Sequence, residues 1–183
     1  MRVIAGTAKG MKLKAPRGNA IRPTSDRVKE ALFSIIAPRL AGSIFLDLYA
    51  GSGAIGIEAL SRGAAGCIFA DNRKEALNVV KENLAKTGLA EKARLVFSDA
   101  EKAVRLLAEE KVKADLIYLD PPYAATNISG VVNAVYSSGL MAENGLFIIE
   151  HACSNRQWAE GFNILKQRKY GNTCLTIISG HIR

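Results

Sequence analysis

Cysteine, histidine and proline are scarce in this chain, at three, two and five of its 183 residues. Cys67, Cys153 and Cys174 are odd in number and form no Cys-x-x-Cys pair. Neither a disulfide framework nor a zinc site is expected from them; buried thiols in a reducing compartment are. His151 and His181 stand apart, without the spacing of metal ligands, and no metal is implied. No apolar run approaches the ~20 residues that cross a bilayer, and no apolar segment of signal-peptide kind follows Met1. A cytoplasmic protein with no membrane partner is expected. Aromatic residues make up 7% of the chain, and Phe33 is the only one in the first forty positions. Stacking on single-stranded bases is therefore not the work of that segment.

Acidic residues are also thin at that end. Residues 1–40 hold nine Lys or Arg against Asp26 and Glu30, so +7 of the formal net charge of +8 lies there. Basic charge gathered at one end points to a polyanion, and nucleic acid is the usual one. Hydrophobic content of 49% with 23% charged residues is ordinary for one globular domain with room for a core. Two regions are expected: a basic extension over 1–40 and a main domain over 41–183. Lacking a large apolar face in its pattern, the chain is expected to be a monomer.

RVIAGTAKGMKLKAP, from Arg2 to Pro16, reads as two short strands around a glycine turn. Thr24 or Ser25 can cap a helix with an apolar stripe at Val28, Ala31, Leu32, Ile35 and Ile36, which Pro38 is expected to end. Arg22, Arg27 and Lys29 fall in or near its first turn, where the helix dipole disfavours cations and an anionic ligand would remove the conflict. These three are the candidate nucleic-acid-binding residues. Beyond residue 44 the pattern alternates. Strands are expected near 44–49, 66–71, 93–98, 114–119 and 145–150, and helices near 54–62, 73–87, 100–110 and 127–138. Two further strands, near 162–169 and 173–179, are joined by a turn at 170–172. The fold class is α/β: a doubly wound, mostly parallel sheet with an antiparallel edge from the last hairpin.

The chain is organised around IFLDLYAGSGAIGIEAL, residues 44–60. An apolar strand leads into Gly51, Gly53 and Gly56 and then a helix, the pattern of a loop whose backbone approaches a ligand closely. That loop alone also fits a nicotinamide or flavin binder. Asp47 tilts the choice, because a carboxylate at the strand end repels a pyrophosphate and attracts a cationic amino group. S-adenosylmethionine has such a group, a sulfonium and no phosphate. Ligands of doubly wound sheets sit beyond the C-terminal strand ends. Each strand here ends in or beside an acid: Asp47, Asp71, Asp99, Asp120 and Glu150. Asp71, twenty residues past Gly51, is placed to take both hydroxyls of a ribose. Asp99 is placed to reach an adenine amino group, with Ala100 offering a backbone N–H; an N-cap for the next helix is the competing role for Asp99.

DPPY, residues 120–123, comes directly after the apolar strand ADLIYL. Pro121 and Pro122 fix their φ angles and lack N–H groups, so the loop is rigid, rich in acceptors and poor in donors. Asp120 adds a carboxylate that only accepts. Such a loop suits an –NH₂ group, the exocyclic amine of a nucleobase. Hydrogen bonds to Asp120 and the Pro121 carbonyl would hold that nitrogen near tetrahedral with its lone pair aimed at an incoming methyl. Tyr123 can stack on the base, a contact worth ~1–3 kcal/mol.

In this order the glycine loop, Asp71, Asp99 and DPPY resemble the S-adenosylmethionine-dependent amino-methyltransferases. RVIAGTAKGMKLKAP, RPTSDRVKEALFSII, LDLYAGSGAIGIEALSRGA and DPPY together closely resemble the RsmD-like family, bacterial enzymes that methylate a guanine N2 of small-subunit ribosomal RNA. The resemblance spans nearly the whole chain, more loosely after Glu150, and its RPT-x-DRV-x-E-x-LF pattern (Arg22 to Phe33) is more specific than the glycine loop. It implies a seven-stranded Rossmann-like class I methyltransferase sheet with a small N-terminal hairpin and helix extension. It places Asp47, Gly51 and Gly53 on the methionine part of the cofactor, Asp71 on its ribose and Asp99 near its adenine. Asp120, Pro121 and Tyr123 are placed on the target amine, and RNA is the nucleic acid that the resemblance implies for Arg22, Arg27 and Lys29. Many relatives have Glu where this chain has Asp71, and the shorter acid still suits a ribose. Two rival readings stay open: a DNA adenine or cytosine methyltransferase, and an RNA-binding ribosome assembly factor without catalysis.

Overall fold

The computed structural model describes residues 1–16, 26–122, 128–154, 157–159 and 162–179. Arg22, Thr24, Ser25 and Tyr123, to which the sequence assigns roles, lie outside them. Helix α1 (Asp26–Leu40) precedes an alternation of β1 (Ile44–Asp47), α2 (Ala54–Ser61), β2 (Gly66–Asp71), α3 (Lys74–Thr87), β3 (Ala93–Phe97), α4 (Ala100–Glu109), β4 (Ala114–Leu119), α5 (Ile128–Ser138) and β5 (Met141–Ala152). The hairpin β6 (Ile164–Tyr170) and β7 (Thr173–Ser179) closes the chain. Pro38 sits inside the last turn of α1 rather than ending it, and the helix runs on to Leu40. A proline there forfeits only one late backbone bond, and the buried Leu40 keeps the turn packed.

One seven-stranded sheet has the order β3-β2-β1-β4-β5-β7-β6. The first five strands pair in parallel, while β7 runs antiparallel to both β5 and β6. The final hairpin thus supplies the antiparallel edge, with its second strand inward and β6 outermost. Two apolar layers cover the sheet. On one face Leu32, Phe33 and Ile36 of α1 pack with Phe45, Leu116, Tyr118 and Ile148. On the other, Val104, Leu107, Val131 and Val135 of α4 and α5 pack on Leu46, Ile117 and Phe147. Among the described residues no helix is long and apolar enough to cross a membrane.

The expected N-terminal hairpin is present as a single antiparallel bridge, Arg2 to Lys12, with a turn between. Val3, Ala8 and Leu13 join the same apolar cluster as α1 and Phe45, so the extension shares the core of the main domain. Polar contacts fasten it as well. Glu58 of α2, fully buried, accepts from the backbone N–H groups of Ile4 (2.8 Å) and Ala5 (2.9 Å). Asn83 of α3 bonds both Lys14 and the Ser52 carbonyl of the glycine loop.

Lys29 corrects the sequence reading. Its side chain is 3% exposed, with the ammonium 3.3 Å from Glu58 Oε2 and 2.5 Å from the Arg2 carbonyl. Glu58 also holds Arg62 Nε at 2.7 Å. A cation sealed inside a hydrogen-bonded cluster has no face to offer RNA phosphate, so Lys29 is removed from the RNA-binding set. Removing one partner of a buried pair costs about 3 kcal/mol or more, because the other charge stays behind. K29M is therefore expected to lose about 3 kcal/mol in urea unfolding. A stability unchanged in K29M would show that the ammonium is solvated.

The cysteines bring a second correction. Cys153 and Cys174 are disulfide-bonded, with Cα atoms 5.0 Å apart, and only Cys67 is a free, buried thiol. The antiparallel register that sets His151 opposite Cys174 and Ala152 opposite Thr173 brings Cys153 alongside. That register is a tertiary fact with no Cys-x-x-Cys trace in the sequence.

Candidate active site

Register places the strand-end acids on one face. Asp47 stands opposite Phe69 of β2 and Tyr118 of β4. Side chains alternate along a strand, so Asp71 and Asp120, two residues beyond those partners, fall on the face of Asp47. Tyr118 in turn stands opposite Ile148, which puts Glu150 on that face too. This is the face covered by α1 and α2, at the C-terminal edge of the sheet. Asp99 comes after the edge strand β3 and takes another role.

The glycine loop enters α2 through Gly53, which has φ +77°. Gly51 also has positive φ, +54°, and a Cβ there would meet nothing closer than 3.9 Å, so its outer side is open to a ligand. Gly56 serves packing instead. A Cβ there would lie 2.3 Å from Phe69 Cε1 and 2.6 Å from Cys67 Sγ, so α2 can lie this close to β2 only with glycine.

Asp47 is 1% exposed, and its Oδ1 has no hydrogen-bond partner among the described residues. Burial pushes its pKa up to about 7 from 3.8; the backbone N–H groups of Gly56 and Tyr49 oppose the shift and the nearby charge of Asp71 adds to it. A buried carboxyl with one oxygen left unsatisfied beside an open glycine loop is costly. An ammonium donor would satisfy it. This orphaned oxygen is the observation that fits the chain to S-adenosylmethionine, whose amino group is such a donor.

Asp71, 4% exposed, already binds the loop: Oδ2 accepts from Gly51 N at 2.9 Å, and Oδ1 from Arg73 N at 2.9 Å. The Arg73 guanidinium adds contacts of 3.2 and 3.3 Å. Asp71 therefore holds the glycine loop to the end of β2, a role the sequence analysis missed. A ribose diol reaching this carboxylate would share it with Arg73, which is 45% exposed at its side chain.

Asp99 is the N-cap of α4. Its Oδ1 accepts from Lys102 N at 3.0 Å, and Oδ2 pairs with Lys102 Nζ at 3.0 Å. The backbone N–H of Lys102 is the main reason its pKa is lowered, with the Lys102 side chain assisting. The competing role is thus the one seen in the structure. Ala100, at the first position of α4, is buried. At the end of β4, Asp120 is half-buried, Pro121 buried and Pro122 exposed. Arg27, near the start of α1, is exposed.

One cationic surface was missed. In β6, Arg168 stands opposite Leu175 and Lys166 opposite Ile177, and both those partners belong to the apolar layer of the α1 face. Lys166 and Arg168 are exposed on the same face as the acids. Their only sequence signal is the run KQRK in a strand otherwise read as a plain edge.

A family model described as "Conserved hypothetical protein 95" matches residues 1–179. YlbH of Bacillus subtilis is 42% identical over 151 residues, 82% of either chain. "Ribosomal RNA small subunit methyltransferase D" of Escherichia coli K12 is 36% identical over 155 residues, covering 85% of this chain and 76% of the relative. The solved structure of yhhF from Escherichia coli superposes with a TM-score of 0.85 at 29% identity, over 100% of this chain and 99% of the other. With its fold and its matched length in agreement, this chain belongs to the RsmD-like family, that of the small-subunit ribosomal RNA methyltransferases D.

Proposed function

We propose that this protein transfers a methyl group from S-adenosylmethionine to the exocyclic N2 of a guanine in small-subunit ribosomal RNA. The observation that carries the reading is the convergence of Asp47, with its orphaned oxygen, and the Asp120–Pro122 loop on one edge and one face of the sheet. The ribosomal RNA substrate is supported by the name of the Escherichia coli relative. When bound, the cofactor supplies an electrophilic methyl on a sulfonium. Asp47, Gly51 and Gly53 hold its amino-acid end, Asp71 its ribose, and Asp99, while capping α4, lies with Ala100 beside its adenine.

Asp120 and the Pro121 carbonyl accept the two N–H bonds of the target amine, Pro122 stiffens the turn, and Tyr123 stacks on the base. The amine attacks in line, with rate gained from positioning and from acceptors already in place. The N–C bond would form as the sulfonium's bond to the methyl breaks, leaving the thioether, and the amine's surplus proton then passes to water, so no general base with a tuned pKa is needed. The base must be unstacked to reach the loop. Residues 1–40 form the basic, RNA-facing extension of the catalytic domain over 41–183, with Arg22 and Arg27 as its phosphate contacts. Lys166 and Arg168 of β6 extend that surface.

The deciding experiment offers labelled S-adenosylmethionine with three acceptors from a strain lacking the gene: small ribosomal subunits, their deproteinised RNA and genomic DNA. Label in either RNA acceptor is the expected result. Label in DNA would favour the DNA methyltransferase, and no label with cofactor still bound would favour an assembly factor. The β6 surface has its own test. K166E/R168E is expected to lower the slope of log affinity for RNA against log salt by about 1–2, since each lost phosphate contact removes ~0.7. Glutamates still discourage edge-to-edge strand pairing. An unchanged slope would therefore leave these cations as edge protection alone.

A further inference from the structure

Glu150 has no part in the mechanism above, yet it is a buried carboxylate at the edge where the target base is to sit. It is 7% exposed, and the Tyr118 hydroxyl donates to its Oε2 at 2.6 Å. Tyr118 is itself 1% exposed. Burial, then the negative charge of Asp120 and of Glu150, push the Tyr118 phenol well above its ordinary pKa, so it remains a donor and fixes the sense of that bond. Leu119 of β4 stands opposite Ile149 of β5, and the next residues along are Asp120 and Glu150. Neighbouring strands lie about 4.8 Å apart, so the two carboxylates stand side by side on one face. Burying an ionised carboxylate is costly, and an apolar residue would fill this place more cheaply. Ile148, one step earlier on the same face, does so.

The bases that carry an exocyclic amine differ at the ring nitrogen beside it. In adenine N1 and in cytosine N3 it is an acceptor; in guanine N1 it carries a hydrogen. A second carboxylate next to the one that takes the amine repels an acceptor and receives an N–H. A carboxylate offers about four lone-pair sites, so the Tyr118 bond is compatible with accepting a further N–H. We propose that Glu150, oriented by Tyr118, accepts the guanine N1–H and makes the site select guanine over adenine and cytosine. This inference rests on the guanine-N2 reading and names the residue behind its base specificity.

The test uses RNA bearing, at the position found to be methylated, either guanine or 2,6-diaminopurine, which keeps the 2-amino group but has an unprotonated N1. Wild-type protein is expected to favour guanine in kcat/KM by about tenfold to a hundredfold. E150Q keeps the size of the side chain and an oxygen for Tyr118, and its amide can donate to N1. It is expected to cut that preference by about tenfold or reverse it, with S-adenosylmethionine affinity unchanged. Y118F, which frees the carboxylate to turn, is expected to weaken the preference less. With guanine methylated by the wild type, equal preference in wild type and E150Q overturns the role of Glu150. Failure of the wild type to methylate guanine overturns the underlying reading as well.

Discussion

D120N is expected to slow methyl transfer by about 10²–10³-fold while S-adenosylmethionine binds as before. The substitution changes one atom in character. Asp120 offers acceptors on both oxygens, and an asparagine turns one of them into an N–H donor facing the amine hydrogens. The amide oxygen that remains is an uncharged, weaker acceptor beside the Pro121 carbonyl, and the amide N–H groups compete for its place, so the nitrogen lone pair is held less firmly toward the methyl. Nothing in the donor site is touched, because the glycine loop and Asp47 belong to the neighbouring strand. Single-turnover rates and cofactor titration measure the two effects apart. Loss of both together would mean that the loop shapes the donor site, and undiminished turnover would remove Asp120 from the acceptor set.

D47N is expected to weaken cofactor binding by about tenfold or more at pH 8, for the loss of a buried charge partner, and to abolish its dependence on pH. In the ligand-free protein the Asp47 pKa is raised to about 7 from 3.8, chiefly by burial. Between those values the folded state holds a proton that the unfolded chain has released. The stability from Asp47 is therefore complete below about pH 4 and declines as pH rises to about 7, by up to about 1.4 kcal/mol per unit. An ammonium seated beside the carboxylate favours its charged form, so binding at pH 6 must expel the proton. Wild-type affinity should rise about tenfold per pH unit up to 7 and level off above it. D47N should bind weakly at every pH and, being neutral, should melt higher than the wild type at pH 8 in the absence of ligand. Tight, pH-independent binding by D47N would place the cofactor amine elsewhere.

Both predictions draw on residues legible in the sequence, and the reason is local. Ile44–Asp47 and Ala114–Leu119 are short apolar strands, and each is punctuated within a few residues of its end, by a glycine cluster or a pair of prolines. Periodicity and turn chemistry therefore located the strands closely, and the acids at their ends came with them. Partnerships between distant segments left no such mark. Lys29 lies beside the apolar stripe of α1, and only the packing of α1 on α2 reveals that Glu58 claims it. Counting cations gave the extension its polyanion reading, yet Arg2 pairs with Asp26 and Lys14 with Glu82. Asp99 reads equally well as an adenine contact or a cap, and local hydrogen bonding to Lys102 determines what is seen. Cys153 meets Cys174, and Lys166 joins the acidic face, through strand register alone.

The most direct measurement is the nucleoside composition of small-subunit ribosomal RNA, by mass spectrometry, from cells with and without this gene. The account predicts that N2-methylguanosine falls by one residue per small subunit when the gene is removed and returns when the wild-type gene, but not D120N, is restored. An unchanged level of N2-methylguanosine, or the loss of a different methylated nucleoside, would contradict it.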